Sequence, residues 1–194
     1  MLTDHLRREM VFYATTGNYS DPERYEQFAR ECGLDKKAFE IGSVVRDLTF
    51  PMQNQVDPVE ILETASATGL TAVGVKAVLK EAGIHHVYTS LDKEQSLLDY
   101  AEARERGDVF MQGDFENLPF GSDAFDIYIM MGAEGYRPRG TFYSEARRVL
   151  RHGGCFIMPQ IGPRPFVNEK EKGDAMAAGF EIIRVDNYFV ARKP

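Results

Sequence analysis

Short apolar runs alternate with helical stripes through most of the chain. Ile61-Leu62-Glu63-Thr64-Ala65-Ser66-Ala67-Thr68-Gly69 joins an apolar run to a loop of small residues. After Gly69 the apolar positions Leu70, Val73, Ala77 and Val78 recur at helical spacing, and Gly83 closes the segment. His86 to Leu91 then supplies a second run, ending in Asp92. This order predicts a β-α-β unit with a nucleotide-binding loop. Asp92 lies 23 positions after Gly69, near the roughly 20-residue offset at which such units place a carboxylate on a ribose.

The flanking segments read differently. Ser20-Asp21-Pro22-Glu23 has the form of a helix start, and Tyr25, Phe28, Ala29 and Cys32 make one apolar face before Gly33 stops the helix. A second stripe, Ile41, Val44, Val45 and Leu48, ends near Phe50-Pro51. Residues 1–56 are therefore expected to be a small helical cap, either covering one edge of the core or forming a lid, and residues 57–194 the core. Downstream, Phe142, Ala146, Val149 and Leu150 predict the inward face of a helix ended by Gly153-Gly154, with Cys155 to Met158 as a fifth strand. Asn168 to Ala178 predicts the last helix, and Glu181 to Val185 with Tyr188 to Arg192, joined by Asp186-Asn187, a terminal hairpin.

Composition narrows the class. A chain of 194 residues, 43% hydrophobic, holds one sizeable core. No apolar run reaches the roughly 18 residues of a membrane span, and the charged start, Met1 to Met10, has no signal-peptide core. Cys32 and Cys155 are far apart and lack CxxC spacing, so neither a disulfide nor a metal site is expected, and the cytoplasm is the expected compartment. With 30 acidic against 23 basic residues, the balance argues against a broad phosphate-binding face.

Three further stretches carry a family likeness: Gly113-Asp114-Phe115-Glu116-Asn117-Leu118-Pro119-Phe120, Ala124-Phe125-Asp126-Ile127-Tyr128-Ile129-Met130-Met131, and Glu145-Ala146-Arg147-Arg148-Val149-Leu150-Arg151-His152-Gly153-Gly154. In this order they resemble the class I S-adenosylmethionine (SAM)-dependent methyltransferases, above all the quinone-biosynthesis branch of the type 11 methyltransferases. The resemblance covers about residues 58–194. It implies an α/β, Rossmann-like, mostly parallel seven-stranded sheet with an antiparallel terminal strand. The loop departs from the family, which usually has glycines where this chain has Ala65 and Ala67. A similar alanine-rich loop occurs in the tRNA guanine dimethyltransferases.

That likeness implies SAM as cofactor, S-adenosylhomocysteine as its product, and a set of binding residues. Glu63 would act on the methionine part, and the small Ala65, Ser66, Ala67, Thr68 and Gly69 would let the backbone approach the ligand. Asp92, followed by Lys93, would accept hydrogen bonds from the ribose hydroxyls. Asp114, after Gly113, would accept from the adenine amino group, with Phe115 flanking the base, and Met130 and Met131 would close the end of the fourth strand. Each has a plainer reading beside it: Glu63 as an acid capping the next helix, Asp92 as an N-cap before Lys93-Glu94-Gln95, Asp114 as a solvated turn acid. Asp126 reads as structural, and His85 and His86 have no partner in a triad or metal spacing.

The acceptor side is less specified. Met130-Met131-Gly132-Ala133-Glu134-Gly135-Tyr136 leaves the fourth strand where α/β folds bind ligands, and Glu134 or Tyr136 could orient or deprotonate an acceptor. The Asn/Asp-Pro-Pro-Tyr/Phe motif of nucleic-acid amino methyltransferases is missing from this segment. The expectation is methyl transfer to a small molecule, without metal or membrane, by a chain that could act as a homodimer. Beside it stand methylation of RNA or protein, and a SAM-binding protein of this fold that acts by interaction.

Overall fold

The structure, a computed structural model, describes residues 19–49, 57–131, 141–159 and 169–194. Among the described residues two helices come first. Helix α1 (Pro22–Glu31) starts where Asp21 accepts the Arg24 amide at 3.0 Å and Pro22 needs no amide partner. Gly33, at φ 78°, turns the chain into α2 (Leu34–Thr49).

The core is a seven-stranded sheet in the order β3-β2-β1-β4-β5-β7-β6. Its strands are β1 (Val59–Thr64), β2 (His86–Asp92), β3 (Val109–Gln112), β4 (Phe125–Met130), β5 (Leu150–Pro159), β6 (Glu181–Val185) and β7 (Tyr188–Arg192). Strands β1 to β5 pair in parallel, and β7 runs antiparallel between β5 and β6. Helices α3 (Leu70–Glu81), α4 (Gln95–Glu102), α5 (Thr141–Val149) and α6 (Glu169–Ala177) make the connections. No helix among the described residues is long and apolar enough to cross a membrane.

Strand alternation divides the core in two. Ile127 and Ile129 of β4, with Cys155 and Ile157 of β5, join Ile61, Tyr88, Val75, Leu79 and the α2 residues Ile41 and Val45. Tyr128, Met130, Phe156 and Met158 join Phe142, Tyr143, Phe180 and Phe189 in an aromatic cluster. Phe142 meets Tyr128, Tyr143 and Phe156 edge-on, with ring centroids 5.0–6.1 Å apart.

Two expectations need correction. Leu70 is buried as expected, but the rest of the buried face of α3 is Thr71, Ala72, Gly74, Val75 and Leu79, whereas Val73 and Ala77 face solvent. The reason is steric: α2 lies so close to α3 that a Cβ on Gly74 would meet the Ala38 carbonyl carbon at 2.5 Å, and one on Gly42 would meet Val78 at 2.9 Å. Small residues, rather than the largest apolar ones, mark this interface.

Gly153-Gly154 also does not end α5. Strand β5 begins at Leu150 directly after the helix, and the glycines lie inside it as a bulge, with Gly153 at φ 81°. Phe125 pairs with Leu150 while Ile127 pairs with Cys155, so the intervening residues of β5 must loop out. The Gly153 amide donates to the Lys193 carbonyl at 2.8 Å and the Lys193 amide to Gly154 at 2.9 Å.

The helix contact gives a direct test. Gly74→Ala is expected to cost about 1–3 kcal/mol, because Ala38 backbone rather than a movable side chain blocks the methyl. Gly173→Ala, inside α6 with open space around it, should instead gain roughly 0.5–1 kcal/mol. Thermal unfolding reads both; equal midpoints for the two variants would show that α2 does not press on α3.

Candidate functional site

The strand order reverses beside β1, whose neighbours are β2 and β4, and such a reversal opens a crevice at the carboxyl ends of the strands. Register brings those ends level: Thr64 lies opposite Leu91 on one side and Met130 on the other. The backbone leaves β1 through Ala65 at φ 54°, Ala67 at φ 48° and Gly69 at φ 74°. All three are left-handed, which costs an alanine roughly 1–2 kcal/mol and glycine little. The Ser66 amide donates to Leu91 O at 3.1 Å, and the Gly69 amide to Ser66 O at 2.9 Å. Gly69 is the N-cap of α3 and brings no side chain to its first turn, so the positive end of the helix faces the crevice without a protein anion as its cap.

Three acids stand along this edge. Asp92, 8% exposed, accepts the Ala67 amide on Oδ2 at 2.8 Å and the Glu94 amide on Oδ1 at 3.0 Å. Each oxygen keeps acceptor capacity for a further donor. Burial pushes the Asp92 carboxyl up, more than the two amides pull it down. Glu63 is 1% exposed, and the Tyr88 hydroxyl donates to its Oε2 at 3.0 Å. Burial pushes its carboxyl up to about 8, against bonding from Thr71 and Tyr88 and with the nearby Asp92 charge adding to the rise.

Asp114 is different. It is half-exposed, accepts the Glu116 amide at 2.9 Å and pairs with Lys93 Nζ at 2.9 Å. Burial raises its carboxyl, but Lys93 and the Glu116 amide outweigh that and hold it below its ordinary value. Gly113 continues the pairing of β3 by donating to Asp92 O at 2.9 Å, and Phe115 packs edge-on against Phe142 at 5.7 Å. Met131 lines the crevice with Glu63, Ser66, Ala67 and Thr68, whereas Met130 is packed in the aromatic cluster. Glu134 and Tyr136 lie outside the described residues.

Sequence reasoning missed one wall of this crevice. Tyr25 and Ala29 of α1 and Leu34 of α2 line it opposite the loop. Glu26, inside the apolar face of α1, and Arg106, between α4 and β3, form an ion pair at 2.7 Å beside it. An acid one position from an apolar stripe was the available signal for Glu26; Arg106 had none. Ser66 Oγ is enclosed with no hydrogen-bond partner among the described residues, a donor and acceptor turned into the loop region with nothing to meet.

The other singled-out residues serve the fold. Asp126 accepts from the Glu60 amide at 2.9 Å and from Arg151 at 2.8 Å. Glu145 accepts the Leu118 amide at 2.9 Å, while Arg148 donates to Leu118 O, Phe120 O and Glu145, so the Leu118-Pro119-Phe120 turn is clipped to α5. His86 Nδ1 lies 2.9 Å from Ile84 O. Both cysteines are free, and no group of three potential metal ligands occurs among the described residues.

Comparison with known proteins names the fold. The methyltransferase domain family matches residues 62–158, half of the chain, and the chain belongs to that family, with the fold of the class I SAM-dependent methyltransferases. It is 33% identical over 110 residues to a demethylmenaquinone methyltransferase of Thermotoga maritima, covering 56% of this chain and 46% of that protein. It is 38% identical over 108 residues to 2-methyl-6-phytyl-1,4-hydroquinone methyltransferase 2 of Oryza sativa subsp. japonica, covering 53% and 29%. The chain thus spans less than half the length of these two relatives. A SAM-dependent methyltransferase from Aquifex aeolicus shares the fold, with a TM-score of 0.64 at 15% identity, over 90% of this chain and 99% of that one.

Two outcomes follow from the loop and its acids. Because Glu63 binds a proton more tightly in the folded chain, the folded state holds the extra proton between the ordinary 4.5 and about 8, and stability falls as pH rises through that window. Glu63→Gln keeps an acceptor for Tyr88 and should flatten this fall, read as the unfolding midpoint between pH 5 and 8; an unchanged slope would show that Glu63 ionises normally. Ala65→Gly and Ala67→Gly, at left-handed positions, are each expected to leave stability level or raise it by up to about 1 kcal/mol, the relief of strain being partly offset by unfolded-chain entropy. Denaturant titration checks this, and a loss beyond that margin would contradict the left-handed turn.

Proposed function

We propose that the chain is a SAM-dependent methyltransferase acting on a small molecule, with residues 57–194 as the SAM-binding core and residues 1–56 as a helical cap. The observation that carries it is Asp92, a nearly buried carboxylate with spare acceptor capacity, beside a left-handed loop at the switch point of the sheet. The residues fit the cofactor: Ser66 Oγ is an enclosed group without a partner among the described residues, and the small side chains of Ala65 and Ala67 let a ligand come close to the backbone. Asp92 would hold the ribose diol, Asp114 and Phe115 the adenine, and Glu63 with the loop the methionine part. SAM, when bound, supplies an electrophilic methyl group on a sulfonium.

The chain's own work is positioning. A displacement at that carbon needs donor and acceptor in line and water excluded, and alignment of this kind can lower a barrier by roughly 7–11 kcal/mol. Tyr25, Ala29, Leu34 and Met131 line the crevice with largely apolar surface. An acceptor hydroxyl or carbon acid would lose its proton to a base from outside the described residues, for which Glu134 and Tyr136 are the candidates. Both named relatives act on quinone-type rings by their names, which supports an acceptor of that chemical class.

An RNA acceptor finds less support. Arg147, Arg148 and Arg151, part of the densest basic stretch, are bonded within the chain to Gly179 O, to Glu145 with Leu118 O and Phe120 O, and to Asp126. They therefore do not form a free phosphate-binding row. Arg137 and Arg139 lie outside the described residues.

Calorimetry tests the cofactor reading. Asp92→Ala should weaken SAM by about tenfold or more, the loss of one or two charge-assisted hydrogen bonds. Wild-type protein that binds no SAM at millimolar concentration, or a variant that binds as well as wild type, would sink it. Transfer of labelled methyl from SAM to a hydroquinone and not to bulk tRNA is the expected companion result.

A further inference from the structure

Helix α1 walls the crevice and is linked to α2 through Cys32 and Gly33, the latter a left-handed residue with nothing within 4 Å of where a Cβ would stand, and through the Arg30–Asp35 pair at 3.6 Å. Helix α2 itself is fixed, its Gly42 pressed on Val78 and the Gly74 carbonyl. Among the described contacts, the Arg106 guanidinium ties α1 directly to the loop. Arg106 donates from Nη1 to Glu26 Oε2 at 2.7 Å and from Nη2 to Oε1 at 3.0 Å. Nη1 also donates to the Thr68 carbonyl at 2.8 Å. Arg30, one turn on from Glu26, adds bonds of 2.7 and 3.0 Å to the same Oε1.

The geometry leaves this pair little freedom. The Arg106 and Glu26 side chains are 12% and 10% exposed, so the bonds act in a medium of low dielectric where a two-pronged charged pair is strong and specific. Arg106 is anchored behind: its amide donates to Ala101 O at 3.1 Å and its guanidinium lies 5.6 Å from the Tyr100 ring centroid. A Cβ on Gly69 would meet Arg106 Cβ at 2.9 Å, so the arginine side chain also packs against the last loop residue. Tyr25 and Ala29 flank Glu26 on the helix, one position before it and three after. Fixing Glu26 therefore fixes the wall they make.

We propose that Glu26 and Arg106 are positioning residues for the cofactor, a latch that sets α1 and the Thr68 carbonyl in one arrangement around the crevice. This rests on the SAM reading above. Neither residue need touch the ligand. Their effect is on how well the crevice is formed before binding, since a wall already in place costs nothing to order. Loss of the latch should thus raise the concentration of SAM needed and leave the rate at saturating SAM unchanged.

The test uses the full chain with Glu26→Gln, which keeps size and removes charge, and Arg106→Lys, which keeps charge and removes the fork. Hydrogen exchange should rise in 22–31 and 64–70 with strand protection unaltered, SAM affinity should fall about tenfold in Glu26→Gln, and KM for SAM should rise without change in kcat. Arg106→Lys should fall between wild type and Glu26→Gln. Exchange that rises throughout the strands, or α1 exchange and SAM affinity both within twofold of wild type, would overturn the latch. Wild-type protein that binds no SAM would overturn the function instead, and the cofactor role of the latch with it, while exchange in the two segments still shows whether the pair holds α1.

Discussion

The chain must turn out of β1 in five residues and point a helix back over the sheet, and it does so with three left-handed residues of which only one is glycine. Two alanines in that conformation are a standing cost that the surroundings have to offset. They are held by fixed acceptors: Leu91 O for the Ser66 amide, Asp92 for the Ala67 amide, Ser66 O for the Gly69 amide. The position of α3, the closure of the β1–β2 pair and the placing of Asp92 all follow from this turn. The same turn presents a methyl group where most of the family presents hydrogen, so shape at the loop is more tightly defined.

Much of the fold was legible. Period and punctuation marked β1, α3, β2 and the terminal hairpin, because the strands are short apolar runs and these elements are bounded by glycine or a polar pair. The likeness that identified the family rests partly on a clip: Glu145 and Arg148 read as motif residues because they hold the Leu118-Pro119-Phe120 turn, not because they meet a ligand. The face of α3 was not legible, since Gly74 and Ala72 carry no hydrophobic signal although they let α2 approach. The bulge at Gly153-Gly154 looked like a helix stop because a left-handed glycine serves equally in both. In the site, the loop and Asp92 could be read from spacing, whereas the wall from α1 and the Arg106 bridge join residues up to 80 positions apart, and no local pattern marks such a pair.

The two acids of the crevice show how one environment treats like groups differently. Asp92 meets two backbone amides, whose dipoles favour its anion, although burial still dominates. Glu63 meets the hydroxyl of Tyr88, a softer donor, in a place with no water access, and retains its proton to about 8. The polar edge of the crevice is thus graded, from a neutral acid at its floor to the ion pair of Lys93 and Asp114 at its rim.

The contact between Gly42 and Gly74 reaches beyond packing. Ile41 and Val45 share one apolar cluster with Ile61, Tyr88 and Ile129, so α2 supplies part of the surface on which the first strands condense. A helix of this length is marginal in water by itself, so α2 and the strands it covers stabilise one another. Helix α2 and the first strands therefore share one packed surface, and exchanging α2 between relatives would demand exchanging α3 as well.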